Sequence, residues 1–255
     1  MATMTNDMAF GGSSAAIVEA ETYEPTVAPR VVTLSQPNHP AAEQYRVLRY
    51  RLECLAKAGI KALAFTSPQS GEGKTTTAVN AALALGKGGR NRVVLVDADL
   101  RRPGVASMLG LRANKGLADV VMGRASLDDC LWRFGADELY VLPAGNVPDD
   151  LSSVLYSQRM GDLMAALKQR FDFVVVDTPP VLALADVPTL CRDLDGAVMV
   201  VRANHTPKEL VNAAIDALYG VTVHGLVLNE VDPRVASMLR IAPYGTQQKA
   251  LPAKR

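Results

Sequence analysis

The chain has 255 residues, 49% of them hydrophobic and 21% charged, which bounds it as one large globular domain of the soluble class with a sizeable core. Its 27 Lys and Arg balance 26 Asp and Glu at a net charge of +1, so no global field argues for nucleic acid or an anionic membrane as a partner. Cys54, Cys130 and Cys191 have neither zinc nor CxxC spacing, no run reaches about 18 uncharged apolar residues, and the start lacks a basic-then-apolar leader, so a cytoplasmic protein with reduced thiols is expected.

Residues 1–38 are rich in Ala, Thr, Ser, Gly and Pro, are mildly acidic and show no sustained period, which predicts a flexible N-terminal arm. "NHPAAEQYRVLRYRLECLAKAG" then reads as a helix of about 16 residues, with Pro40 in the first turn, Gly59 as the stop, and Leu48, Leu52 and Leu55 at helical spacing. "KALAFTS" is a short buried strand, and "KTTTAVNAALALGKGG" a helix with Val79, Ala82, Leu83 and Gly86 turned inward. "RVVLVDADL" is a continuous apolar run, the mark of a parallel strand covered on both faces. "LYVLPAG" is another strand, "SSVLYSQRMGDLMAALKQR" a single helix, and "FDFVVVDTPP" a third strongly apolar strand. "GAVMVVRAN" and "HGLVLNEVD" are strands joined by the helix "PKELVNAAIDALYG". The alternation predicts an α/β fold: a doubly wound, mostly parallel sheet flanked by helices, over residues 39–232. The stretch 233–255 lacks period and is expected to be a flexible tail.

The chemistry begins at "SPQSGEGKTT", residues 67–76, between a strand and a helix. A phosphate cradle needs consecutive backbone N–H groups at a helix N-terminus, and Gly71 and Gly73 permit the required dihedrals. Gly71, Glu72, Gly73, Lys74, Thr75 and Thr76 are therefore the predicted nucleotide contacts, with Lys74 reaching the β- and γ-phosphates and Thr75 ligating magnesium. The usual first glycine of such a loop is Pro68, whose fixed φ can also open the turn. Magnesium needs hard oxygen ligands. Two buried strands end in them: "VVLVDADLRRP" in Asp97 and Asp99, "FVVVDTPP" in Asp177. Carboxylates at the C-terminal edge of parallel strands border the ligand crevice of such sheets, and a cation relieves their repulsion. ATP and Mg²⁺ are the expected ligands.

Those three stretches, in that order, resemble the Walker A, Walker A′ and Walker B motifs of the bacterial tyrosine kinases of capsule and exopolysaccharide assembly, over about residues 40–232. That family tolerates Ala or Pro at the first loop position. The resemblance implies a P-loop NTPase fold of the MinD/ParA kind and an ATP-dependent tyrosine autokinase regulating polysaccharide polymerisation and export. It implies that Lys74 holds the phosphates, that Thr75, Asp99 and Asp177 support the metal, and that Asp97 activates the attacking hydroxyl. Asn229 stands where relatives of the fold contact adenine. Glu43, Arg46 and Arg49 of "EQYRVLR" match a helix that makes subunit contacts in a ring of kinases. The further partners implied are a membrane-bound co-polymerase adaptor, which recruits the kinase to the inner face of the membrane, and a cognate tyrosine phosphatase. No nucleic acid is expected.

Two features depart from the family. The expected cluster of C-terminal tyrosines is reduced to Tyr244, which makes it the phosphoacceptor candidate, and "PDDLSSVLYS" replaces a Pro-Asn-Pro-Ser-Glu-Leu-Leu run. A catalytically degenerate ATP-binding co-regulator of the same export machinery therefore stands as the alternative. A partitioning or division-site ATPase would carry a signature lysine five residues before Lys74, where this chain has Gln69. Lys87, Arg90, Arg92, Arg101 and Arg102 read as solvated charge, except that Arg101 and Arg102 directly follow the site aspartates.

Overall fold

A computed structural model describes residues 18–19, 27–135, 137–183 and 187–232. In chain order its elements are β1 (Val18–Glu19), α1 (Val32–Ser35), α2 (Pro40–Lys57), β2 (Ala62–Thr66), α3 (Lys74–Gly86), β3 (Val93–Asp97), α4 (Val105–Leu109), α5 (Leu117–Val121), β4 (Trp132–Arg133), β5 (Leu139–Leu142), α6 (Ser152–Leu155), α7 (Gln158–Arg170), β6 (Phe173–Asp177), α8 (Val187–Cys191), β7 (Gly196–Arg202), α9 (Lys208–Ala217) and β8 (Val223–Asn229). The strands form one sheet in the order β1-β4-β5-β3-β6-β2-β7-β8. Every pairing in it is parallel except β4 with β5. The doubly wound α/β sheet expected from the alternation is present.

β2, β3 and β6 are buried at every position because helices cover both faces. Successive side chains of a strand point to opposite faces. Val94 and Val96 accordingly pack with Leu163 and Leu167 of α7, whereas Val93 and Leu95 pack with Val79, Ala82 and Leu83 of α3. A third cluster lies under α9, where Ala214 and Leu218 cover Met199 and Val201 of β7. β8 is an edge strand, and Leu226 and Leu228 are 54% and 59% exposed on it.

α2 begins at Pro40 as expected, with the His39 side chain accepting from the Ala41 N–H, and runs to Lys57. The single helix expected over "SSVLYSQRMGDLMAALKQR" is two. α6 stops at Leu155, and Ser157 caps α7 by accepting from the Arg159 N–H. A serine inside an apparently continuous helical pattern was thus a cap, and starting there lets α7 bury Met160, Leu163, Met164 and Leu167 together. Residues 27–38 do not behave as the flexible arm expected from their composition. Val31 is fully buried, the Ala28 N–H bonds to the Met108 carbonyl, and Thr33 is buried against Asn80 of α3. Tyr244 and the rest of 233–255 lie outside the described residues.

Register places the chemistry. Asp97 pairs with Asp177, and Asp177 with Phe65, so β2, β3 and β6 all end at one edge of the sheet. The charged residues grouped in sequence are separated by this geometry. Arg92 precedes β3 and stacks over the Tyr140 and Phe171 rings at the opposite end of the strand from Arg101 and Arg102.

Candidate active site

Residues 67–73 turn from β2 into α3. Gly71 and Gly73 have φ of +88° and +86°, a left-handed conformation that a side chain disfavours. At Gly73 the requirement is also steric, since a Cβ there would stand 2.0 Å from Asn229 Nδ2. Asn229 donates to the Glu72 carbonyl at 2.9 Å and so ties the end of β8 to the loop. Glu72 is 1% exposed, and its carboxylate accepts from the Arg202 N–H and from the Thr206 hydroxyl at 2.6 Å. Its side chain therefore binds the β7–α9 connection.

Lys74 opens α3 and extends between two carboxylates. Its Nζ lies 2.8 Å from Asp99 Oδ2, 3.3 Å from Asp177 Oδ1 and 3.2 Å from Thr75 Oγ1. Burial opposes its charge, but Asp177 and Asp99 outweigh burial, and the ammonium titrates above the usual lysine range. Asp177 is pushed up to about 6, burial raising it while Lys74 and the Thr75 hydroxyl pull it back. Asp97 is pushed up to about 7 by burial and by Asp177, against the N–H groups of Val105 and Gly104, which both donate to its Oδ2 at 3.0 Å. Among the described residues, Asp97 Oδ1 and Asp177 Oδ2 are buried with no hydrogen-bond partner. Buried carboxylate oxygens left unpaired are costly, and a cation or a donor hydroxyl is what such atoms accept.

The donor set fits magnesium. Among the described residues no cluster of three carboxylate, imidazole or thiol ligands stands ready as a cage. Magnesium bound with a nucleotide takes one or two protein oxygens and completes its shell with phosphate and water. Thr75, Asp99 and Asp177 offer that much, and the buried Asp177 Oδ2 has no hydrogen-bond partner among the described residues.

A cleft of about 850 Å³ runs over the loop. Its lining includes Asn229 and Glu230, Lys74, Thr75 and Asp99, and also Arg30, Tyr45, Arg101 and Arg102. The sequence reading passed over Arg30 and Tyr45. Arg30 sits in the stretch taken as arm, and the signal that could have found it is the apolar Val31 beside it. Burial pushes the Tyr45 phenol up, and the Thr77 side chain pulls it back. Glu43 and Arg46 pair with each other on the exposed side of α2. Arg49 instead turns toward α3, 3.4 Å from the Ala84 carbonyl and 3.5 Å from Glu53. Cys130 and Cys191 are buried, both thiols pushed up to about 12 by burial, and Cys54 is exposed.

A glycine-rich turn from a parallel strand to a helix, a lysine at the helix start and carboxylates at neighbouring strand ends define a nucleotide-binding P-loop protein. The family model described as an AAA domain matches residues 60–207. Tyrosine-protein kinase YwqD of Bacillus subtilis (strain 168) is 34% identical over 189 residues, 74% of this chain and 79% of that one. Tyrosine-protein kinase CpsD of Streptococcus agalactiae is 30% identical over 210 residues, 81% and 91% of the two chains. The kinase domain of Escherichia coli tyrosine kinase ETK superposes with a TM-score of 0.76 at 26% identity, covering 85% of each chain. The cell-division ATPase MinD of Pyrococcus furiosus, 27% identical, gives 0.57 over 72% of this chain and 80% of that one. The chain belongs to the bacterial tyrosine-protein kinase family.

Proposed function

We infer that the protein is an ATP- and Mg²⁺-dependent tyrosine autokinase that regulates the polymerisation and export of capsule or exopolysaccharide. The observation that carries this reading is the clasp of Lys74 by Asp99 and Asp177 at the head of the phosphate loop, with the unpaired oxygen of Asp97 beside it. Lys74 has two roles. Without nucleotide it neutralises the carboxylates; with nucleotide its charge meets the β- and γ-phosphates. The loop N–H groups orient the phosphates from the N-terminus of α3. Thr75, Asp99 and Asp177 would hold a magnesium ion, which would supply positive charge against the charge that develops on the phosphoryl group. Asp97, fixed by the Gly104 and Val105 N–H groups, presents a free oxygen to take the proton of an incoming tyrosine hydroxyl. Positioning and electrostatics do the rest.

No helix among the described residues is long and apolar enough to cross a membrane. The setting consistent with the reading is the cytoplasm, with recruitment to the inner face of the membrane by a co-polymerase adaptor, assembly into a ring through Glu43, Arg46 and Arg49, reversal by a tyrosine phosphatase, and no nucleic-acid partner. Tyr244 is the acceptor suggested by its place in the C-terminal stretch.

The test is incubation of the purified chain with ATP and Mg²⁺, with and without the cytoplasmic segment of the adaptor, followed by mass-spectrometric mapping of phosphotyrosine. Phosphotyrosine on the chain, abolished by Lys74→Met, is the expected result. Nucleotide binding with no phosphotyrosine in either condition overturns the kinase reading and leaves a nucleotide-gated co-regulator.

A further inference from the structure

Glu72 stands inside the phosphate loop and belongs to neither β2 nor α3. Its neighbours Gly71 and Gly73 both take left-handed backbone, and Gly71, Gly73, Lys74 and Thr75 line the cleft. The Glu72 side chain reaches the end of β7 instead. Its Oε2 accepts from the Arg202 N–H and, at 2.6 Å, from the Thr206 hydroxyl. Its backbone carbonyl accepts from Asn229 Nδ2 at 2.9 Å, at the end of β8. Those two strand ends are themselves fastened together: the Ala203 N–H donates to the Asn229 carbonyl at 2.8 Å, and Arg202 pairs with Glu230 at 2.6 Å. One loop residue is thereby held by partners 130 to 157 positions further along the chain.

Stability alone does not account for this side chain. Glu72 is 1% exposed, and among the described residues its Oε1 is buried with no hydrogen-bond partner. A buried carboxyl group with one oxygen unpaired costs the fold free energy. What it supplies is direction. Backbone bracketed by two glycines has many alternatives, and here neither a strand ladder nor a helix ladder selects among them. A phosphate cradle works only when its N–H groups already converge on one place.

We propose that Glu72 is a positioning residue: by latching the loop to Arg202 and Thr206, it aims the loop N–H groups at the phosphates before nucleotide arrives. The inference rests on nucleotide binding by the loop, not on transfer to tyrosine. Without the latch the aimed loop is one of several populated conformations, and affinity falls with its population. The loss falls on any ligand that offers the same phosphates, with or without a base. It shows in KM for ATP more than in kcat, because Lys74, Asp97, Asp99 and Asp177 are left intact.

The experiment titrates the full chain by calorimetry with ADP and Mg²⁺ and, separately, with inorganic tripolyphosphate and Mg²⁺, with thermal melts alongside. The forms are the native sequence, Glu72→Ala, Glu72→Gln, Thr206→Val, and Glu72→Ala combined with Thr206→Val. Glu72→Ala should weaken both ligands by about tenfold and Thr206→Val by about threefold. The double variant should bind no worse than Glu72→Ala, because both changes remove the same latch. Glu72→Gln, whose side-chain oxygen can still accept from the Arg202 N–H and the Thr206 hydroxyl, should stay within about threefold of native. In the phosphotransfer assay Glu72→Ala should raise KM for ATP and leave kcat within about twofold. Thr206→Val exchanges a hydroxyl for a methyl of the same shape, so it carries the test if Glu72→Ala does not fold. A lower Tm with unchanged affinity for both ligands makes Glu72 a structural group only and overturns the proposal. A loss for ADP but not for tripolyphosphate overturns it too, as do additive losses in the double variant. A native chain that binds neither ligand overturns the latch and the nucleotide reading together. The predicted losses without any phosphotyrosine uphold the latch and overturn the kinase reading alone.

Discussion

Asp97 carries the clearest consequence at the scale of a single residue. Its carboxyl is pushed up to about 7 in the fold against an ordinary value of 3.8. The folded chain therefore holds a proton there that the unfolded chain has already lost between those values. The stabilising contribution is full below about pH 4 and is lost as pH rises through about 7. Asp177, pushed up to about 6, acts in the same direction. The ligand-free protein should accordingly lose Tm between pH 5 and pH 8, and Asp97→Asn, which keeps an oxygen for the Gly104 and Val105 N–H groups, should flatten that slope and raise Tm at pH 8. The same variant should lose at least about a hundredfold in phosphotransfer if Asp97 takes the proton. Thermal melts across pH, paired with activity, separate the two effects; a slope unchanged in the variant would show that another group drives it. Gly73→Ala belongs to the same scale. Its Cβ would collide with Asn229 Nδ2 and adopt a left-handed φ, so nucleotide affinity measured by calorimetry should fall more than Tm does.

At the scale of elements, the joint that matters is between α3 and the chain before α2. One side chain, Asn80, bonds the Thr33 N–H, the Thr33 hydroxyl and the Arg30 carbonyl. Asn80→Ala leaves buried polar groups unpaired and should cost about 2–3 kcal/mol, a fall in Tm of roughly 5–10 °C for a domain of this size. Limited proteolysis should then cut near Arg30 in the variant before it cuts the native chain; equal rates would mean that the apolar anchor at Val31 holds the segment alone. Composition hid this joint. Ala, Thr and Pro around residue 30 read as arm because the residues that bury them lie about fifty positions away in α3. The break between α6 and α7 was missed for a related reason: Ser157 continues a helical pattern as well as it caps one, and packing against β6 decides which.

At the scale of the whole molecule, a ring of subunits would use the exposed side of α2. Glu43 and Arg46 pair with each other on that side, whereas Arg49 is committed to Glu53 and the Ala84 carbonyl within its own chain. Glu43→Ala with Arg46→Ala should therefore lower the sedimentation-derived mass of any assembly while leaving Tm within about 1 °C, because exposed charge pairs contribute little to folding. Arg49→Ala should lower Tm as well. A double variant that assembles like the native chain would remove this helix from the interface.

The sequence by itself determined the alternation of strands and helices, the phosphate loop and the three aspartates, because those follow from local period, from glycine's backbone freedom and from runs of buried β-branched residues. Only tertiary structure could turn the Glu72 side chain toward Thr206, put Lys74 between Asp99 and Asp177, and bring Arg30 to the same cleft as Arg101 and Arg102. Each of these joins residues that are between 25 and 134 positions apart or that lie on separate elements. The direction of a side chain at a strand end or loop is set by strand register and by the charges it meets there, and neither is written in the residues next to it.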